Sequence, residues 1–145
     1  MKFLITLGLI FTLANVATAQ TIEATGSYYD WGTGNDSYGY CYEYTSDGDV
    51  LNNGYPQSNY NCESRKPSVY KWGRANNGYG YCFHYTPKGV PMDKGQTQSN
   101  TYCEATQPSY YSWGKGMDGY THCYQYTANH IPMNAGSPVS NNYCR

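Results

Sequence analysis

Residues Tyr38 to Thr45 read Y-G-Y-C-Y-E-Y-T. The motif returns 41 residues later as Y-G-Y-C-F-H-Y-T (Tyr79 to Thr86), and after 41 more as Y-T-H-C-Y-Q-Y-T (Tyr120 to Thr127). In an extended chain, successive side chains point to opposite faces. Tyr38, Tyr40, Tyr42 and Tyr44 then share one face, and Gly39, Cys41, Glu43 and Thr45 the other. Aromatic residues and Thr suit a half-buried pleated surface. The stretch therefore predicts one central β-strand per copy, with an aromatic wall on one side and a disulfide anchor on the other.

The same spacing governs the flanks. Trp31, Trp72 and Trp113 are 41 residues apart, as are Cys41, Cys82 and Cys123, and Cys62, Cys103 and Cys144. A period of this length marks a repeat architecture. The copies run over about 23–62, 63–103 and 104–145. Each begins with an alternating segment ending in W-G, such as Ser27, Tyr29, Trp31 and Gly32. Turns follow at Gly34-Asn35-Asp36 or Asn76-Asn77-Gly78, then at Asp47-Gly48, Lys88-Gly89 or Asn129-His130. A brief apolar step comes next: Val50-Leu51, Val90-Pro91-Met92 or Ile131-Pro132-Met133. No stretch has helical periodicity, so the expected class is all-β, with about four short strands per copy. Connections such as Glu63 to Pro67 are short, unlike the long flexible linkers of independent beads. The expected architecture is a single closed β-trefoil-like domain. The alternative is three small disulfide-stapled β modules in tandem.

Residues 1–19 have the pattern of a secretory signal peptide: Lys2, an apolar run from Phe3 to Leu13, and the small-residue site Ala17-Thr18-Ala19. The mature chain is expected to begin at Gln20, secreted to the exterior, the periplasm or the cell surface, with no membrane-spanning segment. Export permits disulfides, and all six Cys lie in the mature region. After Ala19 only eight residues are Leu, Ile, Val or Phe, whereas the chain has 19 Tyr and 3 Trp. The core must therefore be built of rings and staples. Each disulfide closing about twenty residues stabilises by roughly 3 kcal/mol in the chain-entropy model. A net charge of −1 gives no electrostatic case for nucleic acid.

Spacing alone leaves the disulfide pairing open. One symmetric set is Cys41–Cys62, Cys82–Cys103 and Cys123–Cys144; another links successive copies and closes a ring. The within-copy set is preferred because it needs no ring closure. With its G-x-C strand, Gly turn, second Cys and x-x-W segment, the layout resembles the ricin-type β-trefoil lectins across the whole mature chain. That family's Q-x-W is replaced by Tyr29-Asp30-Trp31, Tyr70-Lys71-Trp72 and Tyr111-Ser112-Trp113. The resemblance implies a sugar-binding residue two positions after the first Cys, which is Glu43, His84 or Gln125 here.

The chemistry open to such a chain is binding. Sugars stack their C–H faces on rings and hydrogen-bond to amides and carboxylates. The candidate ligand-binding residues are Glu43, His84, Gln125, Asn59, Asn100 and Asn141, with Tyr42 and Tyr124 as ring surfaces. No nucleophile elbow or convergent set of unlike groups appears, so no enzyme activity is expected. No cofactor or metal is expected either: the carboxylate pair Asp47-Gly48-Asp49 is not repeated in the other copies. The expected function is non-catalytic, lectin-like carbohydrate binding at up to three related sites, with glycans or a cell-surface polysaccharide as partner. The alternatives are a structural or adhesive protein binding surface proteins through Tyr-rich faces, and a secreted inhibitor or effector.

Overall fold

The computed structural model describes residues 26–145. The expected signal peptide lies outside the described residues. The architecture is mostly β, with seven short strands in three separate antiparallel sheets among the described residues. In the first copy β1 (Tyr28–Thr33) pairs with β2 (Gly39–Tyr44). In the second, β3 (Val69–Arg74) pairs with β4 (Gly80–Tyr85), and β4 with the two-residue β5 (Thr97–Gln98). In the third, β6 (Tyr110–Lys115) pairs with β7 (Thr121–Tyr126). The sheets do not join into a closed trefoil barrel among the described residues; they stay small and open.

Each hairpin is set by its own residues. In the first copy Gly34 N–H donates to the Tyr38 carbonyl (2.8 Å). Side-chain oxygens of Asp36, Asn77 and Asp118 accept from the amide two residues on, closing the same Asx turn in all three copies. The register puts Trp31 opposite Cys41, Trp72 opposite Cys82 and Trp113 opposite Cys123. Trp and disulfide thus share a face. On the opposite face lie the Tyr rings: a Cβ on Gly32 would meet the Tyr42 ring at 2.8 Å and the Tyr44 hydroxyl at 2.6 Å. The aromatic wall therefore covers bare backbone and is half-buried, while the sulfur side forms the core.

The second Cys of the first two copies rides on a one-turn helix, α1 (Asn59–Glu63) or α2 (Asn100–Glu104). Cys144 ends the corresponding 3-10 turn Asn141–Cys144. Ser99 and Ser140 accept from the amide two residues on, as N-cap residues do. The disulfides are Cys41–Cys62, Cys82–Cys103 and Cys123–Cys144, the preferred within-copy set. Such bridges fit an oxidising, extracellular-type environment. Among the described residues no helix is long and apolar enough to cross a membrane.

Successive copies are locked by a knob and a socket. Met92 of the second copy enters the core of the first, against Trp31, Cys41 and Cys62. Met133 of the third enters the core of the second, against Trp72, Cys82 and Cys103. The backbone completes each joint: Gly39 N–H donates to the Pro91 carbonyl (2.7 Å) and Gly80 N–H to the Pro132 carbonyl (2.8 Å). Thr86 and Thr127, both fully buried, place their methyl groups where a side chain on Gly39 or Gly80 would stand. At the first joint Asp30 also faces Lys66 (3.0 Å) and Lys88 (3.6 Å). Burial acts to raise its carboxyl pKa, but the Lys66 hydrogen bond, the Trp31 amide and the Lys88 charge outweigh this and hold it below the usual range. Among the described residues no equivalent ion pair forms at the second joint, where Asn129 donates to the Trp72 carbonyl instead (3.3 Å).

Candidate functional site

Glu43, His84 and Gln125 occupy equivalent positions, and each bridges two parts of its own copy. Ser27 Oγ donates to one carboxylate oxygen of Glu43 (2.5 Å) and Asn52 Nδ2 to the other (2.8 Å). His84 lies 2.5 Å from Ser68 Oγ through Nε2 and 2.7 Å from Asp93 Oδ2 through Nδ1. Gln125 donates to Ser109 (2.8 Å) and accepts from Asn134 (2.9 Å). The hydrogen bonds from Ser27, and then Asn52, hold the Glu43 carboxyl below its ordinary range.

These bridges have a local cause. Asn52, Asp93 and Asn134 each open a turn of three left-handed residues, with φ between +51° and +75° across the three copies. Left-handed backbone costs roughly 1–2 kcal/mol per residue other than Gly. The clamp to position 43, 84 or 125 holds that turn in place. Gly54, Gly95 and Gly136 end the three turns, where positive φ suits glycine. The polar atoms of Glu43, His84 and Gln125 are thus engaged in holding the knob-bearing loops.

The remaining predicted residues are dispersed. Tyr42 is buried and Tyr124 half-buried, over Gly32 and Gly114. Asn59, Asn100 and Asn141 are exposed first residues of their helical turns. Asn59 borders an open cleft of about 400 Å³ at the first joint, with Tyr40, Asp93, Lys94 and Gln96. The Tyr40 hydroxyl there is held by Asp36 (2.6 Å), and this bond foremost pushes its pKa up to about 12. Among the described residues no three His, Cys, Asp or Glu side chains converge as a metal site.

The site that sequence reasoning missed is the socket of the third copy. Trp31 and Trp72 are 3% and 4% exposed beneath their methionines, whereas Trp113 is 49% exposed. The indole N–H groups of Trp31 and Trp72 donate to backbone carbonyls of Lys66 and Gln107 (2.7 and 2.6 Å). Trp113 has no such acceptor among the described residues. Beside it on the same strand, Tyr111 stacks on Tyr143, with ring centres 4.7 Å apart and planes within 14°. Both rings are exposed. Tyr120, whose counterparts Tyr38 and Tyr79 pack against Gly95 and Gly136 of the next copy, is 72% exposed. On the Trp113 face, the indole and the Tyr111–Tyr143 pair thus form an open ring surface whose indole donor is unbonded among the described residues. No protein-family model, curated protein or solved structure matches this chain.

A comparison of the copies carried one signal for this asymmetry. The third copy has Thr121 where the other two have Gly39 and Gly80.

Proposed function

We propose that the protein is a secreted, non-catalytic carbohydrate-binding protein whose sugar contacts lie on the open ring face of the third copy. The observation that supports this most is the exposure of Trp113 at a position where both counterparts are covered. Exposed contiguous apolar surface on a small protein marks an interaction site. A sugar ring offers C–H faces to stack and hydroxyls to bond. Trp113 and the Tyr111–Tyr143 pair supply flat rings, an indole donor and phenolic hydroxyls for both. One such face instead of three means that avidity requires several chains on one surface.

The test is retention of the purified mature chain on a glycan array and on insoluble cell-wall polysaccharides. Binding should weaken about tenfold or more in Trp113→Ala, as expected of a central aromatic anchor. Glu43→Gln should bind as the parent does. Absence of retention on any glycan, or unchanged binding by Trp113→Ala, would refute the reading. Retention on protein-coated surfaces that free sugars fail to compete away would favour an adhesive protein instead.

A further inference from the structure

The first and third copies carry the two halves of the internal joint. The first copy carries the knob positions Thr45, Leu51 and Gly54, counterparts of Thr86, Met92 and Gly95. Among the described residues they dock on no other copy: Val50 beside them is exposed, and the space around Gly54 is open. The third copy carries the socket, Trp113 with Cys123–Cys144 and Tyr120 at its rim. A knob on the first copy and a socket on the third define a head-to-tail contact. Repeated between chains, such a contact does not close on itself and builds filaments.

On the socket side one residue breaks the match. At each internal joint a glycine, Gly39 or Gly80, donates its amide to the incoming knob and leaves bare backbone for a threonine methyl. A Cβ on Gly39 would overlap the Thr86 methyl, with the Met92 side chain 3.4 Å away. A Cβ on Gly80 would overlap the Thr127 methyl, with Ile131 at 3.3 Å. Neither threonine is free to turn aside. Thr86 Oγ1 accepts from Val90 N–H and Thr127 Oγ1 from Ile131 N–H, both at 3.1 Å. The third socket has Thr121 at this position, so it carries the Cβ that the joint excludes.

We propose that Thr121 is a stop residue, which bars the first copy of a second chain from the third socket. Thr121 thereby keeps the third socket from receiving the knob of a second chain, and the Trp113 face stays open.

The test separates the stop from the quality of the knob. Where the internal knobs read Val-Pro-Met or Ile-Pro-Met, the first copy reads Asp49-Val50-Leu51. The triple variant D49V/V50P/L51M completes the knob and is compared with the same variant carrying T121G in addition. Both are made as the full mature chain, checked by mass for three disulfides and by near-UV circular dichroism for folded rings. Sedimentation velocity is then run over a wide concentration range. The triple variant should remain a monomer. Addition of T121G should give a ladder of oligomers that grows with concentration. If the two variants sediment alike, whether both as monomers or both as oligomers, Thr121 is not a stop and the proposal falls.

Discussion

Met92→Ala is expected to destabilise the protein by about 2–5 kcal/mol, as deletion of a buried Met side chain does. Met92 is 1% exposed and fills the space between Trp31 and the Cys41–Cys62 bridge. Its removal leaves a cavity bounded by an indole, so Trp31 emission should shift to the red as water enters. Leu51→Ala provides the contrast. Leu51 holds the same position one repeat earlier, but it docks on no other copy among the described residues. Leu51 is half-buried within its own copy, so its loss should cost about 1 kcal/mol, well below that of Met92. Denaturant unfolding followed by tryptophan emission reads both. Equal costs for the two substitutions would mean that the joint does not run from the knob of one copy to the socket of the copy before it.

The second large effect is expected from the middle disulfide. C82S/C103S should cost roughly 3 kcal/mol from chain entropy alone, for two cysteines separated by 21 residues. Packing adds to this. Cys82 and Cys103 are fully buried and form one side of the pocket that receives Met133. Two buried hydroxyls would replace them in a core with few aliphatic neighbours, at further cost. C123S/C144S should be milder, because among the described residues no knob fills the third socket and Cys144 is only half-buried. Calorimetry on the two double variants tests the order. A third-copy variant that loses as much stability as the middle one would show that the joint contributes little.

How much of this was legible in sequence follows from the length scale of each feature. The central strands were readable from Tyr38 to Thr45 and its counterparts, because alternation over eight residues is a local signal. The within-copy disulfides were anticipated, since Cys41 and Cys62 recur together in every copy. The described sheets are small and open and do not display the closed trefoil. A tandem array and a closed ring share the same repeat, and the choice between them lies in contacts between copies. Those contacts rest on single residues, such as Met92 in the socket of Trp31, and carry no period of their own.

The one-turn helices were missed because five residues cannot display helical periodicity. The Ser-Asn pairs before Cys62, Cys103 and Cys144 proved to be their entry points. Glu43, His84 and Gln125 were singled out because they are polar at a repeated position. Their partners nine residues on change with them: Asn52 for Glu43, Asp93 for His84, Asn134 for Gln125. That pairing of donor with acceptor is visible in the sequence. It becomes interpretable only once the left-handed turn shows why a clamp is needed. The change from Gly39 and Gly80 to Thr121 was equally visible, and equally mute until the threonine methyl of the next copy was seen to fill the place of a side chain.

The most direct test of the joint is hydrogen exchange at the three indole N–H groups of the unmodified chain, resolved by two-dimensional NMR and assigned through Trp113→Phe. Two should exchange slowly, being buried and bonded to the Lys66 and Gln107 carbonyls, and the third, from Trp113, should exchange at the rate of an open site. Three indoles exchanging at one common rate, or a slow Trp113, would contradict the account.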